Sequence, residues 1–177
     1  MAYLALADLK SYLGISGSSE DALLDALLLA AEAAIDNYCD RTFAAASDTT
    51  RSFEALRAAD GSFLLLKHEL CQISSIVNGD AAGTTLSADD YVVVPRDPPY
   101  EALMLRSGTA VVWEGSISIT GRWAYSISPP ASIVQATREY AASLYRAYDQ
   151  QADPQHRSNR SMPAHVQQVL AGYQRLR

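Results

Sequence analysis

Leu6, Leu9 and Leu13 recur at helical spacing, with Asp8 near the start and Gly14 just after, so the chain opens on a short helix over about residues 5–13. A polar turn follows. Ser18 is a suitable N-cap, and Glu20 and Asp21 sit in the first turn, where negative charge complements the helix dipole. Leu24, Leu27, Leu28, Ala31, Ile35 and Tyr38 then make one stripe, which predicts a long Ala-rich helix over about residues 19–40.

From Arg51 the period shortens toward two, and turn signals come at close intervals. Asp60-Gly61 separates Arg51–Leu56 from Ser62–Lys67 as a hairpin turn would, and Asn78-Gly79 ends the run Gln72–Val77. Tyr91–Val94, Glu101–Arg106 and Val111–Trp113 read as further strands. Ile117, Ile119, Gly121 and Trp123 alternate with Ser118, Thr120 and Arg122, so the last strand has one face on a core and one toward water. Residues of about 50–125 form a small antiparallel β subdomain inserted between helical segments.

Pro129 and Pro130 open a helix over about residues 130–148, a position where a missing N–H does no harm. Ile133, Ala136, Thr137, Tyr140, Ala141, Leu144 and Tyr145 give it a buried face. The chain is polar from Asp149 to Ser161. Pro163 falls in the first turn of a last helix, where Met162, Val166, Val169, Leu170 and Tyr173 share a side. A lone helix of this length is marginal in water, so its stripe requires a partner. The predicted class is α+β: a bundle of three to four helices with an inserted antiparallel β subdomain and a C-terminal helical arm. Residues 1–150 are expected to form one domain, and 151–177 a linker and docking helix.

Leu, Ile, Val and Phe suffice for a globular core in a chain of 177 residues, and two full cores are not expected. The net charge of −6 argues against a general nucleic-acid binder. Charge is unevenly spread: residues 1–129 hold 8 basic and 17 acidic side chains, and residues 130–177 hold 6 Arg and 3 acids. The two parts should meet different surfaces. Two distant cysteines, Cys39 and Cys71, suggest buried thiols folded in a cytosolic compartment, and no signal peptide or membrane helix is expected.

The chemistry-bearing residues are scattered. No glycine-rich phosphate loop is present, and His68, His156 and His165 stand in no zinc-binding spacing. His68-Glu69 are neighbours that point apart on a strand. Asp89, Asp90 and Asp97 could bind a hard cation, yet Ser87-Ala88-Asp89-Asp90 reads better as a polar turn. Trp113, Trp123 and Tyr125 have no local cluster of Lys or Arg and read as core aromatics. Arg138, Arg146, Arg157, Arg160, Arg175 and Arg177 form the sharper group: a solvated basic face, a docking surface for an acidic partner, or the lining of a DNA passage.

Two blocks carry a family resemblance. Leu6-x-x-Leu9-Lys10-x-x-Leu13, a polar turn, Asp21-x-x-Leu24 and Ile35-x-x-Tyr38-x-x-Arg41-Thr42-Phe43 resemble the head-tail connector (adaptor) family of tailed double-stranded DNA phages and related particles. Gly121-x-Trp123-x-Tyr125, Pro129-Pro130-x-x-Ile133-x-x-Ala136 and Leu144-Tyr145 are similar to that family's return from its β insert into the closing helix. The resemblance implies a structural subunit without enzymatic activity, cofactor or metal. It implies a ring of twelve-fold order under the portal protein, extending the DNA channel at the virion neck after assembly in the host cytoplasm. A stopper or tail-completion protein would be the next partner. Portal docking falls to the C-terminal arm, with Arg157, Arg160, Met162, Val166, Val169, Leu170 and Tyr173 as its candidate residues. The alternatives are a stopper or tail-completion role, or a small hydrolase using Asp89, Asp90 and His68.

Overall fold

The computed structural model describes residues 2–55, 62–149 and 161–175. Four helices and six strands follow in the order α1 (Leu6–Leu13), α2 (Asp21–Cys39), β1 (Thr49–Glu54), β2 (Phe63–Leu70), β3 (Gln72–Val77), β4 (Tyr91–Val94), β5 (Tyr100–Leu105), β6 (Ser116–Arg122), α3 (Ala131–Asp149) and α4 (Ala164–Ala171). The expected α+β class is observed. The chain divides into two compact units, a helical one made of residues 1–43 and 129–177 and a β unit of residues 44–128. The last helix, α4, falls within the helical unit.

In the helical unit, α1 stops at Gly14, whose φ of 74° only glycine adopts without strain and whose N–H reaches the carbonyls of Lys10 and Ser11. A Lys10–Asp21 ion pair joins α1 to the start of α2. The expected Ser18 cap is not formed: the N-cap is Glu20, without a side-chain cap bond, and the Ser18 carbonyl accepts the Asp21 N–H in a preceding turn. The α2 stripe narrows to Leu24, Leu28, Ala31, Ile35 and Cys39, all buried. On α3, Ile133, Ala136, Thr137, Tyr140, Ala141, Ala142 and Ala147 are buried, and the Thr137 hydroxyl donates to the Ile133 carbonyl at 2.8 Å. The alanines keep that helix slim enough to be packed on more than one side.

The β unit holds two three-stranded antiparallel sheets, ordered β1-β6-β3 and β2-β5-β4. Phe53, Leu64, Leu66, Leu70, Ile76, Leu86, Leu103, Leu105, Trp113, Ile117, Ile119 and Trp123 form one core. Only Cys71 separates β2 from β3, so the chain turns a corner from one sheet into the other there. The Cys71 N–H donates to the Arg122 carbonyl at 2.8 Å. This corner explains why Glu69, Leu70 and Cys71 are all buried where strict alternation would expose one.

Two sequence expectations are corrected. Arg51–Leu56 and Ser62–Lys67 do not form a hairpin, because β1 pairs with β6 while β2 pairs with β5; Asp60-Gly61 itself lies outside the described residues. Val111–Trp113 is not a strand. Its backbone is held instead by the buried Asn78 side chain, which donates to the Val112 carbonyl at 2.9 Å and accepts the Glu114 N–H at 3.1 Å. Trp113 turns inward and donates its indole N–H to the Ser62 carbonyl.

That arrangement brings Gly79 against the 114–116 backbone, where a Cβ would meet the Ser116 nitrogen at 2.3 Å and the Glu114 carbonyl at 2.5 Å. Gly79→Ala should therefore destabilise the chain by about 1–3 kcal/mol in denaturant unfolding. Gly17→Ala, with nothing nearer than Ser19 Oγ at 3.9 Å, should stay within about 0.5 kcal/mol of wild type.

Candidate docking site

The helical unit is closed by its own C-terminal segment. Val166 and Leu170 on α4 are completely buried against the chain's other helices. Beyond α4, Tyr173 places its ring edge-on to Phe43 at 5.6 Å, and its hydroxyl pairs with Ser132 Oγ at 2.7 Å. The Arg175 N–H donates to the Cys39 carbonyl at 3.0 Å. The last helix thus finds its apolar partner in α2 and α3 of the same chain.

Of the seven residues expected to dock a portal, Arg157 and Arg160 lie outside the described residues. Val166 and Leu170 belong to the unit's core. Met162 and Tyr173 are half-buried, and Val169 is 42% exposed. The structure gathers the apolar members on one short helix and its flanks, but turns two of them inward.

A polar network missed by the sequence reading ties the N-terminal residues to the end of α2. The Tyr3 N–H donates to Glu32 Oε1 at 2.6 Å, its hydroxyl donates to Asp36 Oδ1 at 2.6 Å, and the Phe43 N–H donates to that hydroxyl at 2.8 Å. Phe43 is fully buried between the ring edges of Tyr3 and Tyr173. Burial raises the Asp36 pKa to about 6, against the lowering effect of the Tyr3 hydrogen bond, and Glu32 adds to the rise through like charge. Burial raises the Glu32 value as well. Tyr3 lies 33 residues from Asp36 and 40 from Phe43, so no local spacing reveals the network.

The residues weighed for catalysis serve local structure. Asp90 accepts from the Ser87 N–H and hydroxyl at 2.7 and 2.8 Å and from Thr109 Oγ1 at 3.1 Å, which holds its carboxyl below the usual range. This is the polar turn that the sequence suggests. His68 is exposed and Glu69 buried, on opposite sides of the irregular end of β2. Trp123 stacks on Phe53 at 5.4 Å, lies under the Arg51 guanidinium and donates to the Thr49 carbonyl, all within the β unit. Cys39 and Cys71 are free and buried, and burial pushes both thiols up, Cys39 to about 11. Among the described residues no group of three or more His, Cys, Asp or Glu side chains could hold a metal ion.

The profile of the phage gp6-like head-tail connector proteins matches residues 3–69, a span from the Tyr3 anchor through α1 and α2 to the end of β2. The resemblance expected from the N-terminal block is to this family. Three solved chains share the fold across nearly the whole length. A chain from the neck of an empty gene transfer agent particle, computed with C6 symmetry, is 20% identical with a TM-score of 0.68, covering 99% of this chain and 91% of that one. A chain from the virion of a native gene transfer agent particle is 22% identical with a TM-score of 0.67, covering the same shares. A chain from the neck of a native particle, computed with C12 symmetry, is 21% identical with a TM-score of 0.65, covering 97% and 88%. No curated protein matches the sequence.

Two measurements check the closure of the helical unit. Leu170→Ala should cost about 2–5 kcal/mol of stability, whereas Val169→Ala, one residue away and exposed, should change it by less than about 0.5 kcal/mol. For Asp36 the sign follows from its raised value. The protonated acid fits the folded state, so its stabilisation is fully present below the ordinary value of 3.8 and is lost as pH rises through about 6. Between about pH 4 and pH 7 the thermal midpoint should fall more steeply for wild type than for Asp36→Asn, which keeps a neutral acceptor for Tyr3.

Proposed function

We propose that this chain is a structural head-tail adaptor subunit of a phage or phage-like particle, assembled as a ring of twelve beneath the portal. The ring extends the DNA channel and presents a platform to a stopper or tail-completion protein. Its place is the virion neck, reached from the host cytoplasm during assembly. No catalytic turnover is involved. The observation that carries this reading is the joint one: similarity to a head-tail connector profile over residues 3–69, and a fold followed by a chain of a gene transfer agent neck along 99% of the sequence.

Physical chemistry favours the same role. A net charge of −6 suits the wall of a conduit, since an acidic surface does not hold DNA in transit. A subunit that binds weakly becomes a firm joint when many copies engage one symmetric partner together. Docking to the portal would use the outward part of the C-terminal segment, Met162 and Val169, together with Arg157 and Arg160, while Val166 and Leu170 hold that segment in place.

Mixing the protein with the portal of its own particle and weighing the product tests this. The expected species is one portal bearing twelve copies of the chain. Failure to bind portal, together with capture by tail components alone, would replace the adaptor reading with the stopper one. The variant Val169→Asp should weaken portal attachment at least about tenfold while changing thermal unfolding little. Undiminished attachment would remove the C-terminal segment from the interface. Deleting 151–177 is the poorer test, because it uncovers the core that Val166 and Leu170 fill.

A further inference from the structure

Among the described residues, the two sheets of the β unit have β1, β3, β2 and β4 as their edge strands, and all but β1 are blunted. β2 changes register between Leu65 and Leu70, β3 changes it between Ile73 and Ser75, and β4 is four residues long and runs into Pro95. β1 has none of these features. Its six residues, Thr49–Glu54, hold one unbroken register with β6 and include no proline. Bulges, short length and proline are the devices by which sheets keep foreign strands off an edge, so an edge without them is fit to receive one.

The backbone groups on that edge follow from the ladder. The Ala55 N–H donates to the Gly115 carbonyl at 3.0 Å, which in the β1–β6 register makes these two a hydrogen-bonded pair. Every second position repeats it, so Phe53 and Arg51 direct their backbone groups at β6, while the N–H and C=O of Thr50, Ser52 and Glu54 point to the open side. The Thr50 and Thr120 hydroxyl oxygens, 2.8 Å apart, agree, because side chains come closest in the pairs that are not hydrogen-bonded. Beside the edge lies a groove of about 590 Å³, lined by residues 51–54 of β1 and by Leu65, Lys67 and His68 of β2. The Arg51 guanidinium is held 4.9 Å above the Trp123 ring, and among the described residues no carboxylate forms a salt bridge with it. Glu54, three positions along, leaves β1 on the opposite face.

We propose that the open edge of β1 is the docking site for an extended acidic segment of another protein, which joins the β1-β6-β3 sheet as a fourth strand and sets a carboxylate against Arg51. Such a site holds whether or not the chain is an adaptor. The edge calls for a peptide, since its donors and acceptors alternate and only another strand answers both; a nucleic-acid backbone offers phosphate acceptors alone. Charge selects the kind of peptide. Arg51, Lys67 and His68 line the groove against the single acid Glu54, in a chain of net charge −6, so an acidic segment is favoured here. Leu65, 64% exposed, offers an apolar contact to a side chain on the same face of the incoming strand. A second copy's β1 is the poorer occupant, because pairing edge to edge brings the basic groups of two copies together.

The probe is a short fluorescent peptide that alternates aspartate with valine, titrated into the full-length protein and followed by anisotropy. Its controls are the same peptide with asparagine for aspartate and the same peptide with N-methylated backbone. Wild type should bind the aspartate form at least about tenfold more tightly than either control. Ser52→Pro removes an N–H from the open edge and none from the ladder, and Arg51→Gln removes the charge; each should weaken binding at least about tenfold, and Arg51→Gln should also abolish the preference for aspartate over asparagine. If Ser52→Pro does not fold, the N-methylated peptide tests the same bonds from the other side. No binding to wild type, or undiminished binding by both variants, would overturn the site. Equal binding of the N-methylated form would overturn strand pairing, and equal binding of the asparagine form would overturn the acidic partner. Native mass spectrometry of the protein without peptide checks the other occupant: a wild-type dimer that Ser52→Pro abolishes gives the edge to a second copy and overturns the proposal, whereas an oligomeric state unchanged by Ser52→Pro supports it.

Discussion

The helical unit depends on Phe43. This side chain stands where the N-terminal helices give way to the β unit, and it is fully buried between two tyrosines drawn from opposite ends of the sequence. Tyr3 reaches it from before α1 and Tyr173 from after α4. Each tyrosine also uses its hydroxyl, Tyr3 on Asp36 and the Phe43 N–H, Tyr173 on Ser132. One aromatic ring thereby joins three segments that no local interaction would hold together, and buried aromatic pairs of this edge-on kind add to what area burial provides. The last helix can then be short, because Val166 and Leu170 complete a core already framed by α2 and α3.

The β unit is built on a different constraint, the passage of one strand between two sheets. Leu70 ends β2 in one sheet and Gln72 begins β3 in the other, so Cys71 is the whole connection. A chain that changes sheets there cannot keep strict alternation. The small residues nearby follow from the same economy of space: a Cβ on Gly121 would meet the Gln72 carbonyl oxygen at 2.1 Å, directly beside the corner. Asn78 does comparable work at the far end of β3, replacing a strand partner for residues 112–114 with two side-chain hydrogen bonds.

Periodicity made most elements legible. Helices α2 and α3 and strands β3, β4 and β6 lie within a residue or two of their expected positions because each has a strong apolar period and a clear stop, such as Pro95 or Pro130. Pairing was less legible. Asp60-Gly61 looks like a hairpin turn, but whether flanking strands pair is decided by which edges β5 and β6 leave open, and that is not written locally. Val111–Trp113 has the apolar content of a strand without a free strand edge to join. The stripe on α4 was read correctly as needing a partner, yet a stripe does not say whose chain supplies it. Tyr3 gave no signal, since its partners are 29 to 40 residues away.

The most informative local signal was one that alternation arguments pass over. Phe63-Leu64-Leu65-Leu66, Tyr91-Val92-Val93-Val94 and Ala102-Leu103-Met104-Leu105 are unbroken apolar runs, the pattern of strands covered on both faces. β6, by contrast, alternates with Ser118 and Thr120, as a strand with one wetted face should. Two sheets of one small unit thus follow opposite rules of alternation. On α2 the side away from the core carries Ala22, Asp25, Ala26, Leu29 and Ala33, while the acids Glu32 and Asp36 are drawn into the Tyr3 network.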